Sequence, residues 1–115
     1  MNSNNNNNNN INMSTFLDRD VRLVSPVKSY GNAKWLKKDV FQDNKEQSGV
    51  YRWVNNLNGK IYVGSGLNLT KRLRSYYIEK ELLKNPRPIH RALLKYGHNN
   101  FTLEILEYCP KAKLL

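Results

Sequence analysis

The sequence predicts a small α+β domain: a three-stranded antiparallel sheet in the order ββααβ, flanked by helices. Three observations carry that class. Two runs of strand-forming residues sit on either side of an Asn58-Gly59 step. Apolar residues then recur at helical spacing in two segments, Leu69 to Tyr77 and Ile89 to Tyr96. Finally, residues 101–108 alternate apolar and polar side chains, the mark of a half-buried strand.

The elements follow in order. Met1-Asn2-Ser3 and seven consecutive asparagines offer no apolar group whose burial offsets the entropy of ordering them, so residues 1–14 read as a disordered tail. The tail lacks the apolar core of a secretory signal and the Arg-rich pattern of a transit peptide. Residues 15–47 read as a lead-in arm that packs on the domain. Pro26 and Gly31 break it, and Lys34–Phe41 (KWLKKDVF) can form a short helix with Trp35, Leu36, Val40 and Phe41 partly on one side.

The domain proper runs from 48 to 115. Val50, Tyr51, Trp53 and Val54 form one strand and Ile61, Tyr62 and Val63 the next. Asn58-Gly59 between them is a strong hairpin signal, because both residue types accept positive φ. Asn68 or Thr70 can cap a following helix, and Leu69, Leu73, Tyr76 and Tyr77 form its apolar stripe. Pro86 ends it. Pro88 suits the first turn of the next helix, which carries Ile89, Ala92, Leu93 and Tyr96, and Gly97 is its stop. Phe101, Leu103 and Ile105 then line one face of a third strand that Pro110 closes. Lys111–Leu115 looks like the opening of a further helix, missing here, that such a sheet wants over its apolar surface.

Composition narrows the function. The formal net charge is +10, spread unevenly. Residues 1–48 hold seven Lys/Arg against five Asp/Glu, whereas residues 49–115 hold twelve against four. A field of that sign favours a polyanionic partner, although the same charge also serves as a solubilising surface. No apolar run approaches the roughly 18 residues of a membrane span. One cysteine, Cys109, allows no internal disulfide, and with two scattered histidines there is no zinc-ligand pattern.

Gly49-Val50-Tyr51 and Tyr62-Val63-Gly64 echo one another across the hairpin. In any even-loop register the two tyrosines share a face. A strict two-residue turn at Asn58-Gly59 sets Tyr51 opposite Gly66 and Tyr62 opposite Asn55, about 13 Å apart along the strand at ~3.3 Å per residue. A wider loop centred near Asn56-Leu57 sets them face to face. The pattern alone favours two sheet aromatics packed beneath the helices. Arg72 and Tyr76 lie one turn apart on the first helix, and an arginine there can grip a phosphate through paired hydrogen bonds. Lys71, Arg74, Arg91 and Lys95 read as phosphate contacts or solvated charge, and His90 as a solvated helix residue.

The set Gly49-Val50-Tyr51, ten intervening residues, Tyr62-Val63-Gly64, then Arg72 and Tyr76, resembles the GIY-YIG nuclease family. More narrowly, SGVYRWVNNLNGKIYVGSGLNLTKRLRSYY followed by IHRALLKYGHNNFTLEILEYC is similar to endonucleases encoded by group I introns of fungal mitochondria. The likeness spans about residues 25–115, including SPVKSYGNAKW. It implies a DNA endonuclease that hydrolyses phosphodiesters of double-stranded DNA with a magnesium ion, in intron homing, at a mitochondrial location. It implies that Tyr51 and Tyr62 lie beside the attacking water, one as general base or positioning group. Arg72 would hold the scissile phosphate, Tyr76 would orient it, and Gly49 and Gly64 would allow close backbone approach.

The family's metal ligand is a glutamate on a helix beyond Leu115, so no residue of this sequence takes the metal role. Glu104 and Glu107 fall on the third strand, and Glu79 and Glu81 on the wrong helix. Cleavage by this chain alone is therefore expected to be weak. The rival readings are a non-catalytic nucleic-acid-binding fragment lacking that glutamate, and a structural domain whose charge only solubilises it.

Overall fold

A computed structural model describes residues 24–110. The Asn-rich tail and the Lys111–Leu115 segment lie outside them. Ten elements follow one another: β1 (Lys28–Tyr30), α1 (Lys37–Asp43), β2 (Gly49–Asn55), β3 (Ile61–Gly66), α2 (Leu69–Arg74), a 3-10 turn (Ser75–Tyr77), α3 (Glu79–Lys84), α4 (Pro88–Tyr96), a second 3-10 turn (His98–Asn100) and β4 (Phe101–Tyr108). The α+β class stands. The sheet, however, has four antiparallel strands in the order β1-β4-β2-β3, not three. The extra strand comes from the lead-in: Lys28, Ser29 and Tyr30 pair with Ile105, Glu104 and Leu103. Three residues without alternation carry no strand signal of their own; their partner β4 decides their state.

The core lies between one sheet face and the helices. Tyr51 and Trp53 from β2 and Phe101, Leu103 and Ile105 from β4 meet Val40, Leu69, Leu73, Leu82, Ile89 and Leu93. All these helix residues except Leu82 belong to apolar faces the sequence shows. The opposite sheet face carries Arg52, whose guanidinium is paired with Glu104 at 2.7 Å. Glu104 is thus engaged on the side away from the helices.

Local chemistry sets the boundaries. Asn68 caps α2, its Oδ1 accepting the Lys71 amide at 3.1 Å. The single helix expected across 68–84 is broken at Ser75–Ile78, where the chain tightens to a 3-10 turn and Ile78 becomes extended before α3 starts. That break lets Tyr76 turn inward while Tyr77 faces Phe41, the rings edge to face at 5.4 Å. Pro88 opens α4, and Gly97 closes it at φ 83°. The lead-in helix starts at Lys37 rather than Lys34. Trp35 is not on its buried side: it is 80% exposed, while Val40 is fully buried.

The hairpin adopts neither of the two anticipated registers. Tyr51 pairs with Gly64 and Tyr62 with Trp53, one step between the tight and wide alternatives. The last paired residues are Asn55 and Lys60, with the Asn55 amide donating to the Lys60 carbonyl at 2.9 Å. Four residues make the loop, closed by the Gly59 amide on the Asn55 carbonyl at 2.7 Å. Gly59 takes a left-handed φ of 77°, whereas Asn58 does not, which excludes the mirror-image two-residue turn. Asparagine side chains hold the loop instead: Asn55 Oδ1 accepts the Leu57 amide and Asn58 Oδ1 the Lys60 amide, both at 2.9 Å.

Candidate active site

Tyr51 and Tyr62 share the helical face of the sheet as diagonal neighbours across β2 and β3. Such neighbours lie about 7–8 Å apart. Their environments differ sharply. Tyr51 is 1% exposed; Tyr62, on the edge strand, is half-buried. The Tyr51 hydroxyl turns to Tyr76, 2.7 Å away, with the rings edge to face at 5.9 Å. Tyr76 is itself buried against Trp53 and His90, at ring separations of 5.3 and 5.5 Å.

Arg72 completes the group. Its guanidinium carbon stands 5.1 Å from the centre of the Tyr76 ring, and the residue is half-buried. Its charge also reaches the Tyr51 phenol. Burial pushes the proton affinity of Tyr51 far above the ordinary tyrosine value, Tyr76 adds to the rise, and Arg72 opposes it. Tyr51 therefore stays neutral across the physiological range and acts as a hydrogen-bond donor and acceptor rather than a phenolate base.

The two glycines leave room for close neighbours. A Cβ on Gly64 would lie 2.5 Å from the Tyr51 hydroxyl and 2.6 Å from its ring carbon Cζ. Gly64 leaves room for the Tyr51 ring to cross β3. A Cβ on Gly49 would run into the Glu107 carbonyl of β4. There the register slips between Val50 and Tyr51, so that Val50 faces Glu107 and Tyr51 faces Ile105. This bulge sits beside Tyr51, a common place for one near a site.

The basic residues divide into groups. Lys71 and Arg74 are exposed on α2 and line an open cleft of about 400 Å³ with Lys45, Glu46 and Glu81. Arg74 also lies over the Phe41 ring at 4.7 Å. Arg91 and Lys95 are exposed one turn apart on α4, with Lys95 over the Tyr96 ring at 5.1 Å. Arg72 alone among the basic residues singled out stacks on a site tyrosine.

Two histidines support the tyrosines: His90, expected to be solvated, and His98, which the sequence did not single out. His90 is 5% exposed, not solvated. Its Nδ1 donates to the Asn85 carbonyl, which fixes the tautomer, and its ring edge supports Tyr76. Its spacing three residues before Leu93 placed it at the margin of the α4 stripe, and that was the available signal. His98 donates from Nε2 to the Tyr76 carbonyl at 2.7 Å and stacks on Tyr77 at 4.8 Å. Burial lowers its pKa, against the pull of that carbonyl, and Lys37 and Lys34 lower it further.

Among the described residues, no group of three His, Cys, Asp or Glu side chains is placed to hold a metal ion.

The fold and site define a small α+β domain in which buried phenol hydroxyls lie beside an overlying guanidinium, groups whose chemistry suits a phosphate oxyanion. The profile of the GIY-YIG catalytic domain matches residues 47–115, and the chain belongs to the GIY-YIG family. A solved structure of the catalytic domain of intron endonuclease I-TevI, in a point-mutant form, is similar at 37% identity and a TM-score of 0.45, over 56% of this chain. The match covers 66% of that domain's length. No curated protein sequence matches the chain.

Proposed function

We propose that this domain cleaves DNA by phosphodiester hydrolysis, as the catalytic portion of an endonuclease. The observation that carries the reading is the Tyr51–Tyr76 hydroxyl pair at 2.7 Å with Arg72 stacked on the Tyr76 ring, in a chain of the GIY-YIG family. Water adds across a phosphorus–oxygen bond: its oxygen bonds to phosphorus while the bond from phosphorus to the oxygen of one strand end breaks, the water gives up a proton to solvent, and the departing alkoxide takes one up from solvent. Arg72 offers its paired N–H groups to the non-bridging oxygens, whose charge grows in the transition state. Of the Tyr51–Tyr76 hydroxyl pair, one proton is shared between the two oxygens, which leaves one to be donated toward the same phosphate. Tyr62, the less buried phenol, orients the water.

The finer reading follows the motif resemblance. The substrate is double-stranded DNA, the ion magnesium, the setting intron homing, and the compartment mitochondrial. No step above runs through the ion, because its ligand is not among the described residues. The test is plasmid nicking with magnesium and with chelator, comparing wild type with Arg72→Ala and Tyr62→Phe. Magnesium-dependent nicking is expected, with Arg72→Ala slower by about a hundredfold or more. If both variants nick at the wild-type rate, the site assignment is wrong.

A further inference from the structure

The site leaves one large aromatic unexplained. Trp35 is 80% exposed, whereas the other tryptophan, Trp53, is fully buried. Tryptophan is a residue that folding usually covers for most of its area. The turn that presents it is firmly held. Asn32 Oδ1 accepts the amides of Lys34 at 3.1 Å and Trp35 at 3.0 Å. The Ala33 amide donates to the Phe101 carbonyl at 3.0 Å, and Ala33 itself is fully buried. The exposure of Trp35 thus belongs to an anchored turn.

Three exposed lysines, Lys34, Lys37 and Lys38, surround Trp35 in sequence, with Asp39 the nearest acid. The charges of Lys34 and Lys37 both act on His98, lowering its proton affinity. The turn also contacts Tyr77. The Tyr77 hydroxyl donates to the Ala33 carbonyl at 2.8 Å, and Lys37 Nζ lies 5.7 Å from the Tyr77 ring centre. Tyr77 directly follows Tyr76. A protein-binding patch enriches tryptophan but depletes lysine. Aromatic faces interleaved with lysines are the composition of a nucleic-acid surface, where the ring stacks on a base and the cations meet flanking phosphates.

We propose that Trp35 stacks on an unstacked base of the DNA bound at the Arg72 site, with Lys34, Lys37 and Lys38 contacting the neighbouring phosphates. The proposal rests on the DNA-substrate reading above and adds a contact outside the GIY-YIG motif residues.

Tryptophan emission of the full chain, titrated with duplex and with single-stranded oligonucleotides, tests it. Trp35→Phe serves as the control because it leaves only buried Trp53 to report. Wild-type emission is expected to be quenched on binding, and that of Trp35→Phe to be nearly unchanged. Trp35→Ala is expected to bind about tenfold more weakly, the usual loss for one stacked base, and Trp35→Phe to retain most of the affinity. The triple change Lys34→Gln, Lys37→Gln and Lys38→Gln is expected to lower the log–log salt slope by about 3. Wild-type binding by anisotropy with no quenching, and with Trp35→Ala binding equally well, overturns the proposal and leaves the nuclease reading intact. Emission changes with anionic vesicles but not with DNA overturn it in favour of a membrane contact. Failure of wild type to bind DNA at all overturns both.

Discussion

The hydroxyls of Tyr51 and Tyr76, 25 residues apart in sequence, lie 2.7 Å apart in the interior of the domain. Each is a hydrogen-bond partner of the other in a largely buried setting, so removing either costs the other that bond. This mutual dependence makes the pair a structural as well as a chemical unit.

Tyr76→Phe should therefore lower stability by about 1–3 kcal/mol, because the Tyr51 hydroxyl is left buried without that partner. Tyr51→Phe should do the same from the other side. The double variant should be less destabilised than the sum of the two singles. Urea melts of the four proteins give the coupling, and strict additivity would refute the shared hydrogen bond.

Arg72→Lys separates charge from geometry. Lysine retains the positive charge but lacks the planar fork that meets two phosphate oxygens together. Nicking should drop nearly as far as in Arg72→Ala, while thermal stability moves by less than about 1 kcal/mol in either variant, since the residue is half-buried at the surface. Wild-type nicking by Arg72→Lys would reduce the role to electrostatic attraction.

Gly64→Ala should destabilise by about 1–3 kcal/mol, the usual range for overpacking, because its methyl group meets the Tyr51 ring. Tyr51→Phe should not relieve the clash, since Cζ and Cε1 lie 2.6 and 3.0 Å from the added carbon. Tyr51→Val should relieve it. Equal penalties for Gly64→Ala in the wild-type and Tyr51→Val backgrounds would show that the ring does not cross there.

His98 sets a pH dependence. Its pKa is lowered in the folded state, chiefly by burial, so the unfolded chain binds the extra proton more readily. Stability should be complete above the ordinary histidine value of about 6.5 and decline as pH falls below it. His98→Gln, which can still donate to the Tyr76 carbonyl, should flatten the profile between about pH 7 and 5. A profile as steep as wild type would place the proton uptake elsewhere.

The hairpin register has its own test. Gly59→Ala should destabilise by about 1–2 kcal/mol, because Gly59 alone in the loop takes a left-handed φ. Asn58→Gly should bring no gain, since Asn58 is not left-handed. A stabilising Asn58→Gly would indicate the two-residue turn.

Much of this architecture was legible residue by residue. The α2 pair Leu69 and Leu73, the Pro88 and Gly97 boundaries of α4, and the alternation of Phe101, Leu103 and Ile105 all appear in the structure where local chemistry placed them. These signals survive because each depends on neighbours within one helical turn or strand. Parity likewise sufficed to put Tyr51 and Tyr62 on one face, since side chains alternate strictly along a strand.

Tertiary contacts decided the rest. Lys28–Tyr30 became a strand because β4 offered an open edge. Asn58-Gly59 lost its preferred turn to a loop in which Asn55 and Asn58 side chains cap the backbone. His90 went inside because the break after Arg74 swings Tyr76 against α4, while Trp35 stayed outside on a turn held by Asn32 and Phe101. The sequence by itself determined which residues could form strands, helices and a phosphate site, through periodicity and residue chemistry. Only the tertiary structure decided which tyrosines meet and which stay wet, because that depends on how distant segments share one limited interior.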